Sequence, residues 1–362
     1  MHPHRRGHVP PRQLAPETLS VQFQEAIKRL LESERPDPDL VSAAFRSILA
    51  GEWNPTQVAA YVVGQELRGA PGAVLASAAR EMRRAMIPLP GARSGLIDTC
   101  GTGGDGSGSL NLSTGTAILL AGAGSKVAKH GNRAASSQSG SADVLERMGV
   151  PLTVPIERLP EVLDETGLVF LFAQHHHPAL RHVGPARREL GVRTMFNCLG
   201  PLANPAGAEY HLLGAYADDL REKLARALLE LGVRRAWVVR SEDGMDEMSP
   251  YAPTRVTEVA EGRIREFVVA PEDFGLKRSP PGAIDGGTPE ENATILLDVL
   301  RGEPHPSRDA FILSAAAALV VERGLSFTDA AALAEKSLTS GAALSAFERF
   351  RDKTKSLLPA SP

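Results

Sequence analysis

The chain has 362 residues, room for two domains, and its 40 Lys and Arg against 43 Asp and Glu leave a formal net charge of −3. That balance argues against bulk nucleic-acid binding, and no uninterrupted apolar run is long enough to span a membrane. With only two cysteines, Cys100 and Cys198, a disulfide framework is excluded and a reducing cytoplasm is the expected setting.

Residues 1–16, rich in His, Arg and Pro without an apolar h-region, read as a disordered extension rather than a secretory signal. Helical periodicity follows over 21–34. Asp39 can cap a second helix that stops at Gly51. Asn54-Pro55-Thr56-Gln57 is a helix start, with Asn54 as cap, Pro55 at the first position and Gln57 closing a capping box. A fourth helix is expected over 73–86, and Pro88 and Pro90-Gly91 then mark a domain boundary. From Leu96 short apolar strands (96–99, 126–128, 150–154, 169–173, 211–215, 236–240) alternate with helical patterns (114–123, 142–148, 159–166, 220–231). Segments 256–259 and 264–268 read as an antiparallel pair, and helices resume from Pro289. The pattern predicts an α/β protein: a small all-helical N-terminal domain, residues 17–90, and a larger α/β domain, residues 91–358, with a mostly parallel sheet flanked by helices.

Between Gly106 and Ala142 there is no acidic residue, yet Lys126, Lys129 and Arg133 occur among many Gly, Ser, Thr and Asn. Such a segment suits a polyanion: glycines admit close approach, amides and hydroxyls donate to phosphate oxygens, and the cations offset charge. Gly101-Thr-Gly-Gly-Asp-Gly106 matches G-x-G-x-x-G, but no acid follows about twenty residues later, so it is not a dinucleotide fingerprint. No Gly-Lys-Ser/Thr follows either, which excludes a P-loop. Alone the hexapeptide is more often a tight strand-to-helix turn; joined to Asn111-Leu-Ser-Thr114 and Lys129-His-Gly-Asn132 it points to phosphate.

Glu242-Asp-Gly-Met-Asp-Glu247 follows the strand at 236–240, where an open α/β sheet places ligand loops. By itself it is a solvated acidic turn. Facing a phosphate-binding segment, Asp246 and Glu247 suit Mg²⁺, a hard cation shared with substrate phosphate. His175-His176-His177 does not form a tetrahedral zinc site, because consecutive side chains on an extended strand alternate; a turn edging the pocket fits better. Arg187, Arg188 and Arg193 lie on a helix and its exit, where arginines usually face solvent. One of them can pair bidentately with a substrate carboxylate, and spacing alone does not choose among them. Cys100 and Cys198 have no evident base partner and read as small buried residues.

With these residues in view, the chain resembles the anthranilate phosphoribosyltransferases over residues 17–350. The motifs are Gly101-Thr-Gly-Gly-Asp105, Asn111-Leu-Ser-Thr114, Lys129-His-Gly-Asn132, Ser139-Gly-Ser-Ala-Asp143, Arg193-Thr-Met-Phe-Asn197, Leu199-Gly-Pro-Leu-Ala-Asn-Pro205, Asp246-Glu-Met-Ser249 and Gly286-Gly…Glu291-Asn-Ala293. The resemblance implies a homodimer whose helical domain also takes in residues 178–192, with the active site in the cleft between the domains. It implies that Gly101, Gly104, Asp105, Ser109, Asn111, Ser113, Thr114, Lys129, His130, Gly131, Asn132, Arg133, Ala134, Ala135, Ser136, Ser137 and Ser141 hold phosphoribosyl pyrophosphate (PRPP). Ser113, Asp246 and Glu247 would bind Mg²⁺, and Gly101, Asn132 and Arg187 would meet anthranilate. Lys129, His130 and Arg187 are the candidate catalytic residues, His130 as acceptor of the amine proton. Gln138 stands where many relatives carry Lys, which removes one phosphate-side cation; Cys198 and Ala203 also depart from the pattern and bear on packing. Two rival readings are a pyrimidine nucleoside phosphorylase, which needs no Asp246–Glu247 metal pair, and a nucleic-acid-binding relative, which would want a basic surface.

Overall fold

The computed structural model describes residues 20–91, 93–134 and 138–358; the extension at 1–16 and Ala135 to Ser137 lie outside them. Four helices come first: α1 (Phe23–Glu32), α2 (Pro38–Leu49), α3 (Pro55–Leu67) and α4 (Gly72–Ala85). The capping box of α3 forms as read, with Gln57 N donating to Asn54 Oδ1 at 3.0 Å and Asn54 N to Gln57 Oε1 at 2.9 Å. The cap of α2 is Asp37, not Asp39. Pro38 takes the first helical position, so Asp37 is the residue placed to accept from Leu40 N, at 3.0 Å.

The α/β portion runs β1 (Leu96–Gly101), α5 (Leu112–Gly122), β2 (Lys126–Gly131), α6 (Ser141–Arg147), α7 (Leu159–Thr166), β3 (Leu168–Phe172), then the short helices α8 (Ala173–His176), α9 (Gly184–Leu190) and α10 (Phe196–Leu202). It continues through β4 (Tyr210–Gly214), α11 (Asp218–Glu230), β5 (Arg235–Ser241), β6 (Thr254–Ala260) and β7 (Arg263–Val269), and ends in α12 (Pro289–Leu300), α13 (Arg308–Arg323), α14 (Phe327–Thr339) and α15 (Ala342–Ser356). The seven strands lie in the order β3-β2-β1-β4-β5-β6-β7, parallel from β3 to β5, with β6 and β7 antiparallel at one edge. Residues 150–154, expected as a strand, form none. Val150, Leu152 and Val154 are buried, but Pro151 and Pro155 withhold amide donors and the segment packs without a ladder.

Two apolar cores result. One lies beneath the α/β layers around α5 and α13. The other gathers α1 to α4 and draws in Val183 and Ala186 of the α9 region with Phe196 and Leu199 of α10. Phe196 packs on Phe45 with ring centroids 5.3 Å apart, so the helical unit takes in α10 as well as the residues near 178–192. The chain winds from β1 outward to β3, then returns past β1 to β4 and β5. This reversal opens a crevice at the carboxyl ends of β1 and β4, where Gly101 pairs with Gly214. Among the described residues no single helix is long and apolar enough to cross a membrane.

Candidate active site

A cleft of about 570 Å³ opens at that crevice, between the carboxyl ends of β1 and β2 and the segment from α8 to α10. Of the residues named from sequence it is lined by Gly101, Gly104, Asn111, Ser113, Lys129, His130, Gly131, Asn132, Arg133, Ala134, Ser141, Arg187, Asp246 and Glu247. Asp105, Ser109 and Thr114 do not line it. Ser109 bridges to Asp285 in the loop before α12, and Thr114 is buried in α5. Asp105 supports the site from behind, accepting Asp246 N at 3.1 Å and Ser107 N at 3.1 Å.

The glycine-rich loop between β1 and α5 is bound to the acidic loop after β5, since Gly103 N donates to Asp246 Oδ2 at 2.8 Å. The acidic loop is solvated only at its start, at Glu242 and Asp243. Asp246 is 7% exposed and Glu247 is half-buried. Burial pushes both carboxyls well above their usual range; Asp105 adds to the shift at Asp246, and Asp246 to that at Glu247. Lys129 and the Ser113 amide oppose the shift at Glu247 without cancelling it. Carboxylates this crowded lack positive charge, and a hard divalent cation satisfies that deficit. Among the described residues no group of three or more His, Cys, Asp or Glu side chains is arranged to hold a metal ion.

Lys129 is 3% exposed and donates to Thr99 O at 2.7 Å and Ser113 Oγ at 3.2 Å. Desolvation lowers its pKa, against the pull of nearby Asp98. Asp98, a polar residue inside the buried strand β1, accepts from His130 N at 3.0 Å and from Asn204 Nδ2 at 2.7 Å. It ties β1, β2 and the α10–β4 connection together. Sequence reasoning passed over it, although an acid within Leu96-Ile-Asp-Thr-Cys100 was a legible signal. His130 Nδ1 lies 3.1 Å from Gly200 O, an acceptor, which places the proton on Nδ1 and the lone pair on Nε2. Burial holds its pKa well below the usual histidine value.

Asn111 accepts from Asn292 Nδ2 at 2.9 Å and donates to Ser139 O at 3.2 Å. Arg133 lines the cleft with its guanidinium ion-paired: it donates to Asp143 Oδ1 at 2.9 Å and to both oxygens of Glu146 at 2.5 and 2.9 Å. Asp143 also caps α6, accepting Ala134 N at 2.9 Å and Gly140 N at 3.1 Å. The half-buried Arg187 makes no ion pair among the described residues. The three histidines sit on α8 and the turn after it, not on an extended strand. His176 Nδ1 meets Ile87 O at 2.7 Å, while His177 enters the cleft with its ring 5.1 Å from that of His130. Cys100, expected buried, is half-buried and lines the cleft; Cys198 is buried. Cleft residues that sequence reasoning did not single out include Met82 and Leu180, which read as ordinary core or turn positions, whereas His177 lies at the pocket-edging turn expected from the sequence.

Fold and site together define a glycosyl transferase. The glycosyl transferase family, helical bundle domain, matches residues 24–86, and the glycosyl transferase family, a/b domain, matches residues 93–344. An anthranilate phosphoribosyltransferase of Symbiobacterium thermophilum is 46% identical over 336 residues, 91% of this chain and 98% of that one. The crystal structure of the enzyme of that name from Thermus thermophilus superposes with a TM-score of 0.85 at 43% identity, covering 91% of this chain and 99% of the other. The Saccharomyces cerevisiae enzyme, solved in complex with PRPP and Mg, gives a TM-score of 0.83 at 28% identity over 92% of this chain and 98% of its own. The chain belongs to the anthranilate phosphoribosyltransferase family.

Proposed function

We propose that the protein transfers the phosphoribosyl group of PRPP to the amine of anthranilate, releasing pyrophosphate, in tryptophan biosynthesis. The observation that carries this reading is the meeting of Asp246 and Glu247 with the Lys129-bearing, glycine-rich segment in one cleft that also holds Arg187, which has no ion pair among the described residues. The yeast relative solved with PRPP and Mg, and again with 4-fluoroanthranilate, supports it.

In this reading the bond from the anomeric carbon to the pyrophosphate oxygen breaks as the carbon–nitrogen bond forms, and the anomeric carbon gains cationic character. Main-chain amides of the glycine-rich loop and the Lys129 ammonium hold the phosphates, so positioning and electrostatics supply much of the rate. Ser113, Asp246 and Glu247 would hold Mg²⁺, which when bound supplies charge neutralisation for the departing pyrophosphate. Arg187 would pair with the anthranilate carboxylate, beside Gly101 and Asn132. The aromatic amine keeps its lone pair at neutral pH and needs no strong base before attack. After attack its nitrogen is acidic, and a weak acceptor such as His130 Nε2 suffices to take the proton.

The protein would act in the cytoplasm as a homodimer on small-molecule substrates, with no nucleic-acid partner. Leu31 of α1 and Leu67 of α3, 74% and 85% exposed, support an interface on the helical unit. The test is anthranilate fluorescence on adding PRPP with Mg²⁺ and then with excess chelator. Loss that requires both donor and metal is expected; loss indifferent to PRPP would overturn the reading.

A further inference from the structure

The donor is a polyanion, and the cleft offers few cations to meet it. Lys129 is buried and held by Thr99 O and Ser113 Oγ. Arg133 is neutralised by Asp143 and Glu146. Arg187 is half-buried. Arg193 differs from all three. It is exposed, lines the cleft and forms no ion pair among the described residues. Its guanidinium lies 4.6 Å from the centre of the Tyr216 ring and donates to the carbonyl oxygen of Gly104.

Its backbone is anchored. Met195 N donates to the Glu66 carboxylate and Thr194 N to Asn197 Oδ1 at 3.1 Å, so the guanidinium is aimed from the helical unit at the glycine-rich loop. Gly104 has φ +82°, and a Cβ there would stand 3.1 Å from Arg193 Nε, so only glycine lets the two come together unstrained. The neighbouring Gly103 amide contacts Asp246 Oδ2, which puts Arg193 on the pyrophosphate side of the site. A neutral carbonyl and an aromatic face are weak partners for a guanidinium compared with phosphate, where two N–H groups engage oxygen with full charge.

We infer that Arg193 binds the pyrophosphate arm of the donor, its guanidinium exchanging the Gly104 carbonyl for phosphate oxygens when the donor enters. The inference rests on the function proposed above, and it adds a ligand-binding role to a residue that sequence spacing left among solvated arginines.

The experiment compares wild type with Arg193→Gln, Arg193→Lys and Arg193→Ala, reading KM for each substrate and, by calorimetry with Mg²⁺, binding of inorganic pyrophosphate. Gln can still donate to the Gly104 carbonyl but has no charge. Arg193→Gln is expected to raise the PRPP KM and weaken pyrophosphate about tenfold or more, with the anthranilate KM within about twofold, and Lys to recover part of the loss. Gln matching wild type while Ala fails would reduce Arg193 to a latch on the loop and overturn the inference, as would equal rises in both KM values. Wild type that consumes no anthranilate with PRPP would instead sink the proposed function, and the pyrophosphate titration would still decide the case of Arg193.

Discussion

Asp246 crosses the carboxyl end of the sheet directly over Gly214: a Cβ built on Gly214 would stand 1.6 Å from the Asp246 carbonyl oxygen. One on Gly101, the strand neighbour of Gly214, would stand 2.8 Å from Asp246 Oδ2. The two glycines leave the gap through which the acidic loop reaches the glycine-rich loop. Gly214→Ala must therefore push Asp246 outward. We expect the Mg²⁺ concentration for half-maximal rate to rise about tenfold or more, and overpacking to cost about 1–3 kcal/mol of stability. Metal titrations of initial rate and a denaturant melt check this; an unchanged metal requirement would show that Asp246 does not set the metal site.

Asp246 and Glu247 are built at the expense of stability. Burial raises their pKa values in the folded state, with repulsion from Asp105 adding at Asp246 and from Asp246 at Glu247, so the folded protein binds protons there more tightly than the unfolded chain does. Their contribution is then most favourable below the ordinary carboxylate range near pH 4 and is lost as pH rises through the raised values. Without divalent metal, wild type should lose thermal stability across that rise. Asp246→Asn with Glu247→Gln should flatten the dependence and melt higher near neutrality, while turnover is abolished. Mg²⁺ should raise the melting temperature of wild type and not of the double variant. Retained turnover, or a double variant that melts lower at every pH, would contradict this assignment.

Arg187 is desolvated with no carboxylate partner among the described residues, and its pKa is lowered by that burial. A guanidinium so placed gains most from a ligand that supplies the missing anion. Arg187→Ala should raise the anthranilate KM far more than the PRPP KM, by a loss of about 1.5–3 kcal/mol for a charge-assisted contact. Steady-state kinetics with each substrate varied in turn decide it, and equal effects on both would make Arg187 structural.

The fold was legible where local chemistry and tertiary packing agree. The Asn54–Gln57 capping box and the alternation of buried strands with helices are written in short-range spacing. The failures have physical causes. At 150–154 alternating apolar residues are buried, but two prolines deny the ladder. At Asp37 and Asp39 two acids compete for one cap, and Pro38 decides. In the site, residue type showed that Lys129, Asp246 and the glycine loop belong together, yet it could not show how charges are shared. Arg133 is claimed by Asp143 and Glu146, ten and thirteen residues on, while Arg193 is left for the cleft. Pairings of that kind depend on which side chains the fold brings within reach, and spacing does not encode them.

Asp98 provides the most demanding test of the charge balance. Burial raises its pKa, yet His130 N, Asn204 Nδ2 and the Cys100 thiol all donate to it, and Lys129 lies near. A carboxyl surrounded by donors has no acceptor for a proton of its own, so the ionised form is the one this arrangement fits. Asp98→Asn would face one NH₂ group against another at Asn204, whose Nδ2 is also held by Ala128 O at 2.8 Å and cannot simply turn away. It would also leave the buried Lys129 short of a counter-charge. We expect a loss of about 3 kcal/mol or more in urea unfolding, and a raised PRPP KM because Lys129 and His130 lose their mooring. Should Asp98→Asn instead unfold at the same urea concentration as wild type, Asp98 is protonated in the native state, and the charge that balances Lys129 must come from the Asp246–Glu247 side.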